Sequence, residues 1–157
     1  MEGFCMYRKD RPDRVGGGLI LYVNEYDSIQ STKVSSFSHI DFDESVWCRL
    51  NTVKASLLVG LCYRSPSSPR VNDDSLDRLL EMLEADANDR MSSKVLIMGD
   101  FNYPSIDFVN HTVKTGDDSV ETKFFNETQD LFLVQHVTEA TRFQQGQKAS
   151  GLMRTTL

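Results

Sequence analysis

Apolar residues fall along this chain in short unbroken runs separated by polar, glycine and proline clusters. Residues 19–23 (Leu-Ile-Leu-Tyr-Val), 46–50, 56–63 and 95–98 are such runs. Each is too short for a buried helix and reads as a strand covered on both faces. The runs at 46–50 and 56–63 lie a few residues apart, around Val53, Lys54 and Ala55, which predicts an antiparallel hairpin. Residues 7–14 read as a charged loop and 24–45 as loop or an edge strand. A different period follows. Leu76, Leu79, Leu80 and Leu83 stand at i, i+3, i+4 and i+7, which predicts an amphipathic helix. Asn72, Asp73 and Asp74 supply capping oxygens and negative charge at its start. Asp118 and Glu121 resemble a capping box for a second helix, with Val120, Phe124, Phe125 and Thr128 on one face. Residues 131–137 read as a strand, and 144–157 show no period. The order is mixed α/β with at least one antiparallel pair. It predicts a two-sheet β-sandwich flanked by helices rather than a doubly wound sheet.

Composition narrows the class. The 157 residues, 39% hydrophobic and 25% charged, suit one globular domain. The formal net charge of −6 opposes tight, non-specific nucleic-acid binding by this chain alone. It is compatible with an enzyme that meets phosphates through metal ions and a few placed arginines. The apolar runs are too short to cross a bilayer, and the first residues carry no signal-peptide pattern. Cys5, Cys48 and Cys62 are odd in number, and two of them sit in strand-like runs as buried thiols. Together these predict an intracellular protein, nuclear or cytoplasmic.

The candidate chemistry concentrates at Gly99-Asp100-Phe101-Asn102, directly after a buried run. In extended backbone Asp100 and Asn102 point to the same side. One is a carboxylate that can bind a hard cation or take a proton; the other is a neutral amide that can hold a water or a phosphate oxygen. The same four residues also fit an Asx turn that only ends a strand. Gly16-Gly17-Gly18 could cradle a phosphate, but no Gly-Lys-Ser/Thr follows and the strand comes after the glycines. His39, His111 and His136 stand apart and read as surface or packing residues.

Five segments in order resemble one family. These are Arg11-Pro12-Asp13-Arg14-Val15-Gly16-Gly17-Gly18-Leu19; Tyr63-Arg64-Ser65-Pro66-Ser67-Ser68 before the leucine helix; Gly99-Asp100-Phe101-Asn102; Leu133-Val134-Gln135-His136-Val137; and Thr138-Glu139-Ala140-Thr141-Arg142. They resemble the endonuclease/exonuclease/phosphatase superfamily, closest to the apurinic-type endonuclease domain of non-LTR (LINE-type) retrotransposon polyproteins. The likeness covers residues 4–143 and leaves 144–157 as a divergent tail. It implies a two-sheet sandwich and hydrolysis of DNA phosphodiesters with Mg²⁺ or Mn²⁺, with no small-molecule cofactor and no membrane. By resemblance Asp100 lies at the water nucleophile and the metal, and Asn102 holds the nucleophile or a non-bridging oxygen. Tyr63 points a phenol at the scissile phosphate, and Thr141 lies near it. Arg64 and Arg142 are candidates for the DNA backbone.

The resemblance also has gaps. The family's principal metal-binding Glu has no counterpart here, since Glu2 and Glu25 stand in other contexts. No Asp-His dipeptide occurs, although the family uses one against the phosphate. The chain therefore reads as an internal piece of the domain, incomplete at both ends. Little or no activity is expected of it alone. A non-catalytic remnant, an incomplete gene model and a phosphatase of the same superfamily are the alternatives.

Overall fold

The computed structural model describes residues 3–11, 16–26, 29–35, 42, 44–89, 93–137 and 153–156; for 86–89, 93 and 153–156 it describes the backbone only. Strands β1 (Phe4–Lys9) and β2 (Leu19–Asn24) form an antiparallel pair. A six-stranded sheet contains β3 (Gln30–Lys33), β4 (Ser45–Asn51), β5 (Ser56–Tyr63), β6 (Ser93–Asp100), β9 (Val134–Gln135) and β10 (Met153–Thr156). Its order is β3-β4-β5-β6-β10-β9. Strands β5 and β6 are parallel and are connected through helix α1 (Arg70–Asp89); the other pairs of this sheet are antiparallel. A short pair, β7 (Ile106–Asp107) with β8 (Thr112–Val113), precedes helix α2 (Val120–Asp130).

The two-residue period of the central strands sorts their side chains into two cores. Trp47, Leu58, Cys62, Val95 and Ile97 face the helices, where they pack with Leu76, Leu79, Leu80 and Leu83 of α1 and Phe124 of α2. Gly60 pairs with Trp47 across the ladder, and a Cβ there would lie 2.2 Å from the indole. The other parity, Val46, Cys48, Leu57, Val59, Leu61, Leu96 and Met98, packs with Tyr7 and Val23 of the β1–β2 pair. This second core makes the molecule a sandwich. Tyr7 adds a polar tie across it, its hydroxyl donating to Ser31 Oγ at 2.6 Å. The mixed α/β sandwich with flanking helices follows the expectation from sequence. So does the arrangement of β5, α1 and β6, with Leu76, Leu79, Leu80 and Leu83 of the connecting helix buried against the neighbouring strands.

Some local expectations are revised. The segment read as a charged loop from Tyr7 is strand as far as Lys9, because Tyr7 turns inward while Met6 and Arg8 turn out. Helix α1 starts at Arg70, with Pro69 O accepting from Asn72 N at 2.9 Å, so Asp73 lies inside the first turn and is free for another use. The cap of α2 is Ser119 rather than Asp118, its side chain accepting from Thr122 N. Of residues 131–137 only Val134–Gln135 is strand. Leu131 caps α2, and Phe132 takes a left-handed φ of 52°. The stretch expected to be a tail enters the sheet, since Met153–Thr156 lies between β6 and β9. Helices α1 and α2 are joined by Lys123 Nζ on Asp77 Oδ2 at 2.6 Å. Burial raises the pKa of Asp77, and Lys123 partly offsets that.

Candidate active site

Tyr63 and Asp100 are the last residues of two neighbouring parallel strands, and they are register partners. Both belong to the parity that faces the β1–β2 pair, so both side chains leave the sheet on the inter-sheet side. Each is partly exposed there. Gly99 explains how the strand ends come so close. A Cβ on it would lie 2.0 Å from the carbonyl oxygen of Cys62, a contact that backbone cannot relieve. The glycine before Asp100 is therefore a packing requirement of the site. The chain then turns: Asn102 N donates to Asp100 Oδ1 at 3.2 Å, and Asn102 has a φ of 50°. This left-handed residue aims its amide back across the strand ends, and Nδ2 donates to Arg64 O at 2.7 Å. The turn reading of the Gly-Asp-Phe-Asn segment is the one seen in the backbone. The Asx turn is present, and it is what places Asn102 beside Asp100.

Arg64 occupies a place different from the one expected of a DNA-backbone ligand. It is 5% exposed. Its Nε and Nη2 donate to the two carboxylate oxygens of Asp73 at 2.6 and 3.2 Å. Its Nη1 reaches the carbonyl oxygens of Ser65, Phe101 and Asn102 at 3.3, 3.5 and 3.4 Å, and the guanidinium carbon sits 4.2 Å from the centre of the Tyr103 ring. Burial works most strongly against the charge, and the hydrogen bonds to Asp73 together with the neighbouring Tyr103, Asp73 and Glu121 outweigh it, so the pKa stays above the ordinary arginine value. Arg64 therefore pins the loop after Asp100 to the first turn of α1 instead of facing solvent. Tyr103, beneath it, has its phenol pKa raised by burial and packs on Phe124 at 4.7 Å between ring centres.

Three expected site residues, Tyr63, Asp100 and Asn102, are thus brought together. Thr141 and Arg142 lie outside the described residues, as does His39. His111 is exposed with its ring edge toward Phe125. The available donors for a metal are hard oxygens, the Asp100 carboxylate and the Asn102 amide, which suit Mg²⁺ or Mn²⁺ in kind. Among the described residues no group of three or more His, Cys, Asp or Glu stands close enough to hold an ion.

One part of the site went unseen in the sequence. Beside Tyr63, a small cavity opens between the sheets, lined by Lys9, Asp10, Arg11, Gly18 and Glu44. Arg11 Nη2 pairs with Glu44 Oε1, and its guanidinium lies 5.3 Å from the centre of the Tyr63 ring. Tyr63 N in turn donates to Glu44 O at 2.9 Å. The signal that could have found it was the charged run after Tyr7, ending at the glycines.

Comparison with known proteins adds to this geometry. No curated protein matches the chain. Among solved structures, the endonuclease domain of TRAS1, a telomere-specific non-LTR retrotransposon, matches at a TM-score of 0.68 with 14% identity; the match covers 99% of this chain and 65% of that one. The human Nocturnin catalytic domain with bound sulfate anion matches at 0.58 with 11% identity, covering 98% and 60%. D. rerio TDP2 complexed with single strand DNA product matches at 0.50 with 9% identity, covering 98% and 61%. The chain therefore spans less than two thirds of each of these domains, and likenesses at such identities establish the fold. The family model described as endonuclease-reverse transcriptase matches residues 57–153, more than half of the chain and all but the first residue of the β5-α1-β6 unit with the Asp100 loop. On that match, the chain belongs to the endonuclease-reverse transcriptase family, within the endonuclease/exonuclease/phosphatase superfamily.

Proposed function

We propose that this chain is part of a metal-dependent DNA endonuclease domain of a non-LTR retroelement, running from Phe4 at least to the strand at Met153–Thr156. The observation that carries the reading is the register pairing of Tyr63 with Asp100 on one face, at the C-terminal ends of parallel strands, with Asn102 folded back beside them. The substrate is a DNA phosphodiester. Asp100 orients a water for in-line attack or takes its proton. The Tyr63 phenol donates to a non-bridging phosphate oxygen, and Asn102 holds the water or a second oxygen. Thr141 and Arg142 contribute further phosphate contacts. Arg64 acts on the reaction through Asn102 and is a positioning residue. A bound Mg²⁺ or Mn²⁺ supplies charge neutralisation at the phosphate, and Asp100 with Asn102 would hold it. Octahedral Mg²⁺ needs several firmly placed oxygens, and Asp100 with Asn102 would supply only part of that shell, so the ion would be held weakly.

A second reading, a non-catalytic DNA-binding remnant, is favoured by the lack of an acidic cluster among the described residues. Nicking of supercoiled plasmid by the purified chain in Mn²⁺ separates the two. Slow nicking that Asp100→Ala lowers at least tenfold supports the endonuclease. DNA binding with no nicking supports the remnant. Nicking that Asp100→Ala leaves unchanged removes Asp100 from the chemistry.

A further inference from the structure

We infer that Arg11 is a DNA phosphate ligand in the cleft, making beside Tyr63 a second phosphate subsite whose charge is set by Glu44. The inference rests on the DNA reading above and adds Arg11 and Glu44, which that reading does not use. Four observations place it. The guanidinium stands over the face of the Tyr63 ring, 5.3 Å from its centre, on the side where the inter-sheet cavity opens. Its Nη2 is tied to Glu44 Oε1, which anchors one end of the guanidinium. Its Nε is buried and has no hydrogen-bond acceptor among the described residues. A buried charged donor without an acceptor costs free energy, and an anionic oxygen entering the cavity supplies one.

The glycines explain the room. A Cβ on Gly17 would lie 2.8 Å from Arg11 Nη1, and one on Gly18 would lie 2.7 Å from Lys9 O. The glycine run therefore serves a phosphate indirectly. It leaves space for an arginine rather than presenting its own amides. Because the Tyr63 phenol and the Arg11 guanidinium are neighbours, a DNA strand whose scissile phosphate meets Tyr63 brings an adjacent phosphate toward Arg11. Planar, multi-donor contact of this kind is what guanidinium offers over an ammonium.

The test is DNA binding without metal, by fluorescence anisotropy of a labelled duplex oligonucleotide in EDTA across a salt series. Each phosphate neutralised adds about 0.9 to the slope of log K against log salt on duplex DNA. Arg11→Gln is expected to weaken binding about tenfold at low salt and to reduce the slope by about one. Arg11→Lys is expected to keep the slope while losing part of the affinity. Glu44→Gln is expected to tighten binding, since the guanidinium then has one partner fewer. Arg11→Gln with an unchanged slope overturns the subsite and leaves Arg11 as a structural partner of Glu44. If Arg11→Gln does not fold, Arg11→Lys and Glu44→Gln decide: a reduced slope in the first or weaker binding in the second overturns it. A wild-type chain that binds no duplex at low salt overturns the DNA reading itself, and the subsite with it.

Discussion

The β5-α1-β6 unit and the β1–β2 pair flank the same cleft but are held very differently. In the first, Leu58, Leu83 and Val95 are fully buried, and the strands are buttressed by a helix on one face and the second sheet on the other. In the second, one face packs inward through Tyr7 and Val23 while the outer face leaves Phe4, Met6, Ile20 and Tyr22 about half exposed. Tyr63, Asp100 and Asn102 come from the stiff unit. Arg11 comes from the end of the weakly held strand. Proteins open most easily where few apolar contacts are buried. On the proposed function the lesson is a division of labour, in which the groups assigned to the reacting atoms are rigidly built and the group assigned to a further phosphate can give.

Substitutions can break or sharpen that contrast. The largest effect is expected from Gly99→Ala, whose Cβ meets backbone at 2.0 Å. It should cost more than about 4 kcal/mol or prevent folding, whereas Gly17→Ala, which meets only the end of a flexible side chain at a φ of 81°, should cost roughly 1 kcal/mol. Urea unfolding of both variants measures this, and equal losses would show that the two regions are equally rigid. Next comes Arg64→Met. It leaves Asp73 charged, buried and unpaired, a change worth roughly 3–5 kcal/mol. Arg64→Met with Asp73→Leu should recover most of that loss in stability, though not the placing of Asn102. If the double variant is no more stable than the single one, the cost lies in the carbonyl contacts instead of the ion pair.

A smaller effect concerns pH. Burial raises the thiol of Cys48, in the core between the sheets, from 9.0 to about 11, and raises that of Cys62 as well. An acid whose folded-state pKa is raised contributes stability fully below its unfolded value and loses it as pH climbs through the folded value. The Cys48 part, roughly 2–3 kcal/mol, should therefore be present at pH 8, decline between pH 9 and 11, and be gone above. Comparison of unfolding free energies for wild type and Cys48→Ala at pH 8 and pH 11 tests the sign. The same thiol reports on the hairpin, since Cys48 becomes accessible only when β1–β2 lifts. Modification of Cys48 by a thiol reagent as fast as Cys5, while Cys62 stays protected, would place the hairpin in an open state much of the time.

Much of the stiff unit was legible in the sequence, and much of the soft one was not. The leucine spacing of α1 and the unbroken runs of β5 and β6 are patterns that local chemistry writes directly. Tyr63, Asp100 and Asn102 could be singled out because strand ends are readable and the family motif marks them. Strand β1 was hidden because Phe4 and Met6 point outward and erase the alternation that marks a half-buried strand. Arg64 could not be placed because its burial depends on Asp73, across a loop, and on Tyr103, which lies far along the chain. Arg11 and Glu44 meet only because two sheets pack, and no spacing records that. Strand β10 is too short and too polar in composition to announce itself, and what the structure shows of it is its backbone pairing with β6 and β9.

The position of β10 has a consequence for the order in which the protein can be made. Among the described residues strand β9 pairs with β10 and with no other strand, and β10 is what separates it from β6. As a ribosome delivers the chain from the N-terminus, β5, α1 and β6 can assemble as soon as they emerge. The far side of β6 then stays an open strand edge, and β9 waits with nothing to join, until residues 153–156 arrive. Through that interval an apolar strand bearing Asp100 is exposed to pairing with another nascent chain. The strand at 153–156 closes the edge of β6 beside Asp100.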